Sequence, residues 1–422
     1  MRAGRMDCQA DQQLDRGGQV PAQPGQLAMR QIHHGPTLSG SRERLWSAGA
    51  PTMHRWRADK SLAQARFVHQ DARMETDTVA ELVTRALAAE RAAIDPDEHT
   101  DYSALLWRAA ADGAGALACG LELIGSGDPM EREAGCNLLG DAANQHEAVR
   151  AETATALVAL AQRETEGRVL HSLARAIEMT HDARAVPVLI ALAGHPDAEV
   201  REQVARSFPG VLTGRPDGPD IRTLITLTRD PVSHVRDWAT FTLGVQAEVD
   251  SPEIRAVLWE RTGDEDADTR TEAIRGLACR HDPRAVPLLI ALLDNPEGAH
   301  VLTFNAAQVM GVPELLPALL EYEPGDDWVT DAVNACNPVR RARLDACAWE
   351  LVTELHRLRP DLDAAVSMER FGWSRRLGLG AAVGSEGYDV EALLARADGD
   401  PVRAAELVAS DLPRTAPDPA DR

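Results

Sequence analysis

This sequence has little of what marks a membrane, secreted or sheet-rich protein. Aromatic residues make up only 4% of its 422 residues, whereas β-sheets favour aromatic and β-branched residues. It contains no run of about 18 or more apolar residues, which a membrane span requires. The N-terminus has no apolar h-region, so a secretory signal is not expected. These absences favour a helical, cytoplasmic protein.

The chain also lacks the short motifs of common catalytic and metal sites. No Walker-type loop, G-x-S-x-G, H-E-x-x-H or CxxC pair occurs. The stretch GLGAAVG, residues 378–384, has the wrong spacing for a dinucleotide-binding loop, and we expect no strand before it. We therefore predict no catalytic residues, no metal and no cofactor.

Acidic residues outnumber basic residues, and the excess is uneven. The net charge is −22; residues 1–73 hold 11 Lys and Arg against 6 Asp and Glu, whereas residues 74–422 hold 33 against 60. This balance argues against a broad phosphate-binding surface for nucleic acid. Residues 1–73 lack helical periodicity and are rich in Gln, Gly, Pro and Ser. We expect them to be disordered or to form an extension upstream of a start at Met74.

What the sequence does contain is an internal repeat. HDARAVPVLIAL, residues 181–192, returns as HDPRAVPLLIAL at residues 281–292, and an offset of 100 residues suits three helix–turn–helix repeats. We expect the two His–Asp pairs to be helix boundaries rather than metal sites. Arginines near the start of each second helix follow the same period: Arg132, Arg168, Arg201, Arg236 and Arg270.

The repeat predicts the fold class. Each unit of about 30–36 residues has an apolar stripe on both helices but cannot enclose a core alone. Stacking of such units predicts an all-α fold, an α–α superhelix of helix pairs. Thr78 and Glu81 form a capping-box pattern where the helical signal begins.

These patterns divide the chain into six segments. Residues 1–73 are the disordered or extension segment, and residues 412–422 are a disordered tail. Between them lie an N-terminal helical cap with a first repeat (74–127), the repeats proper (128–326), a C-terminal repeat or cap (327–360), and a glycine-containing connection with two short helices (361–411).

The repeated residues resemble HEAT repeats, particularly the bacterial lyase-type HEAT-like group. The resemblance covers roughly residues 100–360, and the pattern is interrupted at His195, Asn295 and Val301. It implies a superhelix of helix pairs. Enzymatic members of the group include bilin lyases or isomerases and DNA glycosylases. The resemblance rests on a first-helix proline and a turn aspartate followed by an arginine six residues later: Pro187, Pro287, Asp230 with Arg236, and Asp264 with Arg270.

The regularly spaced arginines have two interpretations. A buried guanidinium needs a carboxylate. We therefore predict a structural arginine ladder, in which arginines of the second helices bond turn aspartates. Alternatively, aligned guanidinium groups could receive an acidic partner or a phosphate. The ladder residues are Arg201, Arg236, Arg270, Asp230 and Asp264.

Five further residues are candidates for binding a partner. Trp238 and Trp259 lie in repeat helices, where large exposed aromatics often dominate binding, although burial between repeats is the alternative. Asp237, Glu202 and Glu272 lie beside ladder positions and would line an acidic groove. We therefore predict a non-enzymatic scaffold or adaptor that binds a basic segment of another protein. A HEAT-like enzyme of the lyase or glycosylase type is the alternative, and the oligomeric state is left open.

Overall fold

The computed structural model describes residues 32–33, 77–92, 100–323, 325–368, 374–380 and 387–412. They belong to two compact units, Met53–Leu277 and Met1–Thr52 with Ala278–Arg422. The expectations for the rest of residues 1–73 and for residues 413–422 lie outside this described part. The architecture is an all-α repeat fold, as the sequence predicts.

The described residues of the Met53–Leu277 unit form consecutive helices. Short 3₁₀ or π turns follow four of them, at Glu147–Val149, Ala183–Ala185, Phe208–Gly210 and Thr242–Gln246. The helices are α1 (Val79–Ala92), α2 (Thr100–Ala109), α3 (Gly113–Leu123), α4 (Pro129–Gln145), α5 (Arg150–Ala161), α6 (Gly167–Thr180), α7 (Val186–Leu192), α8 (Ala198–Ser207), α9 (Pro219–Leu227), α10 (Ser233–Phe241), α11 (Pro252–Arg261) and α12 (Ala267–Cys279).

From α3 onward the helices form pairs, and the second helices of successive pairs pack side by side. Helix α4 packs against α6, α6 against α8, and α8 against α10. Their apolar stripes supply the core, and burial of each large aliphatic side chain contributes roughly 1.5–3 kcal/mol. Fully buried members of these stripes are Leu138, Leu139, Leu173, Ile177, Val200, Val204 and Val235.

One close approach between second helices depends on glycine. A Cβ atom at Gly140 of α4 would lie 2.9 Å from the Cα atom of Ala176 on α6. Carbon atoms in contact normally lie about 3.5–4.0 Å apart. A side chain at residue 140 would therefore force the two helices apart.

The helix boundaries follow local hydrogen bonding. At the start of α1, the Thr78 N–H donates to Glu81 Oε2 (2.8 Å) and the Glu81 N–H donates to Thr78 Oγ1 (3.3 Å), which is the capping box. His181 ends α6 in the left-handed region at φ 51°, and the Asp182 carboxylate accepts the Arg184 N–H at 3.0 Å. The His–Asp pair is therefore a helix boundary, as predicted.

The second unit repeats that boundary and continues the helical pattern. His281 has φ 48°, and Asp282 accepts the Arg284 N–H at 3.1 Å. Strand β1 (Ile32–His33) pairs in parallel with β2 (Ala299–His300). The unit's helices are α13 (Ala285–Leu293), α14 (Val301–Met310), α15 (Leu316–Leu319), α16 (Asp327–Cys336), α17 (Pro338–Leu358), α18 (Val390–Arg396) and α19 (Pro401–Asp411).

A small sheet occupies part of the segment where the sequence predicts a connection. Strands β3 (Ala365–Met368), β4 (Arg375–Gly378) and β5 (Tyr388–Asp389) form an antiparallel sheet in the order β3-β4-β5. The expectation that no strand precedes residues 378–384 is wrong, because β4 ends at Gly378. The two short helices expected in this segment are α18 and α19.

Strand β4 was not predicted because its arginines obscure the alternation of apolar and polar residues. Leu377 is fully buried, and Arg375 is buried with it because its Nε donates to Asp345 Oδ1 at 2.7 Å. A charged residue that faces inward hides the period of two on which a strand prediction relies. Within the described ranges, no helix is both long and apolar enough to cross a bilayer.

Candidate functional site

The arginine ladder connects consecutive helix pairs of the Met53–Leu277 unit. Arg201 of α8 donates to both carboxylate oxygens of Asp230, with Nε–Oδ2 and Nη2–Oδ1 distances of 2.8 and 2.9 Å. Arg236 of α10 makes the same bidentate pair with Asp264, at 3.0 and 2.9 Å. Arg270 of α12 donates through Nη1 to the carbonyl oxygen of Asp264 at 2.8 Å. Each bidentate pair therefore joins a second helix to the turn of the next repeat.

The ladder carboxylates are stabilised in their charged form by their arginine partners. Burial by itself would raise the pKa of Asp230, but hydrogen bonds from Arg201 and the Val232 N–H outweigh it and lower that pKa. The pKa of Asp264 is lowered in the same way, by Arg236 against the effect of burial. The side chains of Arg236 and Asp264 are only 7% and 3% exposed. Arg236 and Asp264 bind each other, so this guanidinium is not accessible to a phosphate or an acidic partner.

A second row of side chains lies on the same helices, C-terminal to the ladder arginines. Arg206, Phe241 and Arg275 each follow a ladder arginine by five residues, so they recur at one position of consecutive second helices. We call this row the second-helix face. Its members are Asp141 of α4, His171 and Arg175 of α6, Glu202 and Arg206 of α8, Trp238 and Phe241 of α10, and Glu272 and Arg275 of α12.

An aromatic and cationic cluster forms the middle of the second-helix face. The Arg206 guanidinium carbon lies 4.4 Å from the centroid of the Trp238 ring. Trp238 and Phe241 meet edge to face with centroids 5.7 Å apart, and the Arg275 guanidinium carbon lies 5.8 Å from the Phe241 ring. Cations within about 6 Å of an aromatic face are attracted to it. Both aromatic rings are only partly buried, so this cluster presents aromatic surface to a partner.

The five predicted binding residues do not form one surface in the structure, because they differ in burial and in the helix that carries them. Trp238 and Glu202 lie together on the second-helix face and are partly buried. Trp259 is 41% exposed, but it lies on α11, the first helix of its pair. Asp237 and Glu272 are buried, at 6% and 2% exposure.

The expectation that Asp237 and Glu272 line an open acidic groove is therefore wrong. Asp237 follows a ladder arginine on α10, which packs against α8. The Oε2 atom of Glu272 lies 3.4 Å from the Nη1 atom of Arg275, which is on the same helix. Asp237 and Glu272 are therefore buried within the repeat array and do not face solvent.

The second-helix face has mixed charge. Arg175 donates to Asp141 and to Asn137, both at 3.2 Å. Burial raises the pKa of Glu202, against the attraction of Arg206 and the nearby His234. Burial lowers the pKa of His171, and Arg206 and Arg175 lower it further. Carboxylates on this face are matched by arginines, so its acidity is local.

The structure also brings together three potential metal ligands that the sequence analysis did not predict. Glu199 and Glu202 lie one turn apart on α8, and His234 lies in the first turn of α10. His234 Nε2 is 3.7 Å from Glu199 Oε1 and 3.8 Å from Glu202 Oε2. The repeat register could have indicated that two of them lie close together. Glu199 and His234 each precede a ladder arginine by two residues, so they occupy equivalent positions on neighbouring second helices.

With this geometry established, the chain can be compared with known proteins. A family model described as HEAT repeats matches residues 221–311, which run from α9 through α14. These residues are HEAT repeats. The match includes the Asp230 and Asp264 turns and the ladder arginines Arg236 and Arg270. The recognised HEAT segment therefore contains the cluster of Trp238 and Phe241.

The chain also resembles individual proteins in sequence and in fold. YibA of Escherichia coli strain K12 is 34% identical over 103 residues, which is 24% of this chain and 36% of YibA. The chain thus spans about a third of the length of the curated relatives it matches. The solved structure of YibA aligns at 20% identity and a TM-score of 0.47, covering 63% of this chain and 97% of that chain. The complex of CpcE and CpcF of phycocyanin lyase from Nostoc sp. PCC7120 aligns at 16% identity and a TM-score of 0.34, with the same coverages.

Proposed function

We propose that this HEAT-repeat protein is a non-enzymatic scaffold or adaptor that holds a basic segment of another protein against its second-helix face. The observation that carries the proposal is Trp238, a large aromatic that remains partly exposed beside the Arg206 guanidinium, 4.4 Å away. Tryptophan is enriched among the residues that dominate protein interfaces. A cytoplasmic location, expected from the sequence, belongs to the same proposal.

The charge of the chain supports a basic partner. Residues 74–422 hold 60 acidic against 33 basic residues, and such an excess steers positively charged segments by long-range attraction. At the face itself, a partner arginine would replace Arg206 over Trp238. Glu202 and the exposed Glu199 would supply carboxylates beside it. Specificity would come from this small cluster and not from a broad acidic groove.

The test compares the two tryptophans that the structure places on different helices. A partner is first recovered with the tagged full-length chain, and its binding constant is measured with purified protein. Trp238→Leu should weaken binding about tenfold or more, which corresponds to about 1.4 kcal/mol. Trp259→Leu, on the first helix of its pair, is the matched control and should bind as the parent does. Equal binding by the Trp238→Leu variant, with its circular dichroism and thermal midpoint unchanged, would refute docking at this face.

The enzymatic alternative has weaker support in the residues. A bilin lyase that uses a cysteine needs an accessible thiolate, but burial raises the pKa of the Cys136 thiol and also that of Cys336. A glycosylase needs a basic face, whereas Arg175 and Arg206 are each paired with a carboxylate. Incubation with bilin and an acceptor apoprotein, and separately with alkylated duplex DNA, tests both activities. Turnover in either assay would overturn the scaffold proposal.

A further inference from the structure

We propose that Glu199, Glu202 and His234 form a binding site for a borderline divalent cation such as Zn²⁺. One oxygen from each glutamate and one imidazole nitrogen lie within 4.8 Å of one another. Zinc is bound in proteins by imidazole nitrogen and carboxylate oxygen, and a three-ligand set leaves a coordination position open.

The imidazole of His234 has an unsatisfied ring nitrogen. Its Nε2 atom is buried and has no hydrogen-bond partner among the described residues, although 43% of the side chain is exposed. A buried polar atom without a partner costs free energy. Glu199 Oε1 and Glu202 Oε2 are 3.7 and 3.8 Å from it, beyond the range of a hydrogen bond. A cation between the three groups would satisfy this nitrogen.

The distances from His234 Nε2 to the two carboxylate oxygens fit a shared metal ion better than they fit direct hydrogen bonds. Ligand atoms at about 2.0–2.2 Å from a tetrahedral zinc lie roughly 3.3–3.6 Å from one another. The observed separations from His234 Nε2, 3.7 and 3.8 Å, are close to that range. Glu199 is 67% exposed and can rotate by the small amount required.

The fold holds two of the ligands in place. Glu199 and Glu202 are separated by three residues and therefore project from the same side of α8. Arg206 Nη1 donates to Glu202 Oε1 at 3.4 Å, which leaves Oε2 directed to His234. Such outer hydrogen bonds orient metal-binding carboxylates and tune their affinity. His234 is supplied by the next repeat, so a bound cation would link two HEAT repeats.

The competing interpretation is an imidazolium between two carboxylates, with no metal. It uses the same three residues, so only metal binding separates the two. The experiment uses the full-length chain after removal of metal with a chelator, and no partner protein is present. Its outcome is therefore independent of the scaffold proposal. Zn²⁺ is titrated against a chromogenic chelator, which reports both stoichiometry and affinity.

The chain has 13 histidines, any of which could bind zinc weakly, so the variants must separate His234 from the others. His234→Ala should lose one equivalent of Zn²⁺ relative to the parent, and Glu199→Gln should weaken that equivalent about tenfold or more. His356→Ala removes an exposed histidine of α17 and should leave the stoichiometry and affinity unchanged. X-ray absorption at the zinc edge should show nitrogen and oxygen ligands at about 2.0–2.2 Å.

Two outcomes would overturn the site. The first is unchanged zinc stoichiometry and affinity in both His234→Ala and Glu199→Gln. The second is an equal loss in the His356→Ala control, which would indicate unspecific binding by surface histidines. Should His234→Ala fail to fold, Glu199→Gln alone decides, because the Glu199 side chain is largely exposed and its loss does not disturb the core.

Discussion

Arg236 and Asp264 form a bidentate ion pair across 28 residues of sequence, with both side chains less than 10% exposed. The pair joins helix α10 to the turn before α12. Arg201 and Asp230 repeat it one unit earlier. Because a HEAT unit contacts mainly its neighbours, these pairs are specific polar links between consecutive units.

Removal of one partner of this pair should therefore be costly. We expect Asp264→Ala to lower the free energy of unfolding by about 3 kcal/mol, because the buried Arg236 charge then has only the exposed Glu265 carboxylate, 3.3 Å away, to compensate it. Urea denaturation followed by circular dichroism measures the change. The double variant Arg236→Met/Asp264→Leu should recover most of the loss, since an apolar pair needs no charge compensation. A single variant within about 1 kcal/mol of the parent would show that the pair is effectively solvated.

The same pairs predict how stability depends on pH. The pKa values of Asp230 and Asp264 are lowered in the folded state. A lowered carboxyl pKa contributes stability that is fully present above the unfolded value of about 3.9 and is lost as the pH falls below it. The urea midpoint should therefore drop as the pH is lowered from about 5 toward 3. Carbon-13 NMR titration of Asp264 with a midpoint at or above about 3.9 would contradict this.

The fold could be predicted because its determinants are local. Apolar stripes, first-turn prolines and turn aspartates recur with one period, and each needs only its own helix or turn to act. The surface could not be predicted in the same way. Whether Asp237 faces solvent depends on how α10 packs against α8, and the sequence of α10 does not carry that information. The three-residue cluster at His234 and the strand at Arg375 depend on partners about 30 residues away.

The close approach at Gly140 gives a prediction about packing. Gly140→Ala should destabilise the protein by about 1–3 kcal/mol, because the added Cβ would lie 2.9 Å from the Cα of Ala176. This is opposite to the effect of helix propensity, which favours alanine over glycine. Gly127→Ala, in the turn before α4, is the control for the added methyl group alone, since no atom lies within 4 Å of a Cβ added there. Thermal unfolding of both variants checks the difference, and a Gly140→Ala variant as stable as the parent would mean that α4 and α6 separate freely.

Arg206 covers the Trp238 ring in the free protein. If a partner arginine takes the place of Arg206 over the Trp238 ring, Arg206 competes with the partner in the free protein. Arg206→Ala should then tighten binding about two- to fivefold, corresponding to the roughly 0.5–1 kcal/mol of an exposed cation–π contact. In a Trp238→Leu background the same change should have no effect, because there is no ring to compete for. A double-mutant cycle on the partner's binding constant measures this coupling. Weaker binding by Arg206→Ala in the parent background would instead mean that Arg206 itself contacts the partner, which would then be acidic at that point.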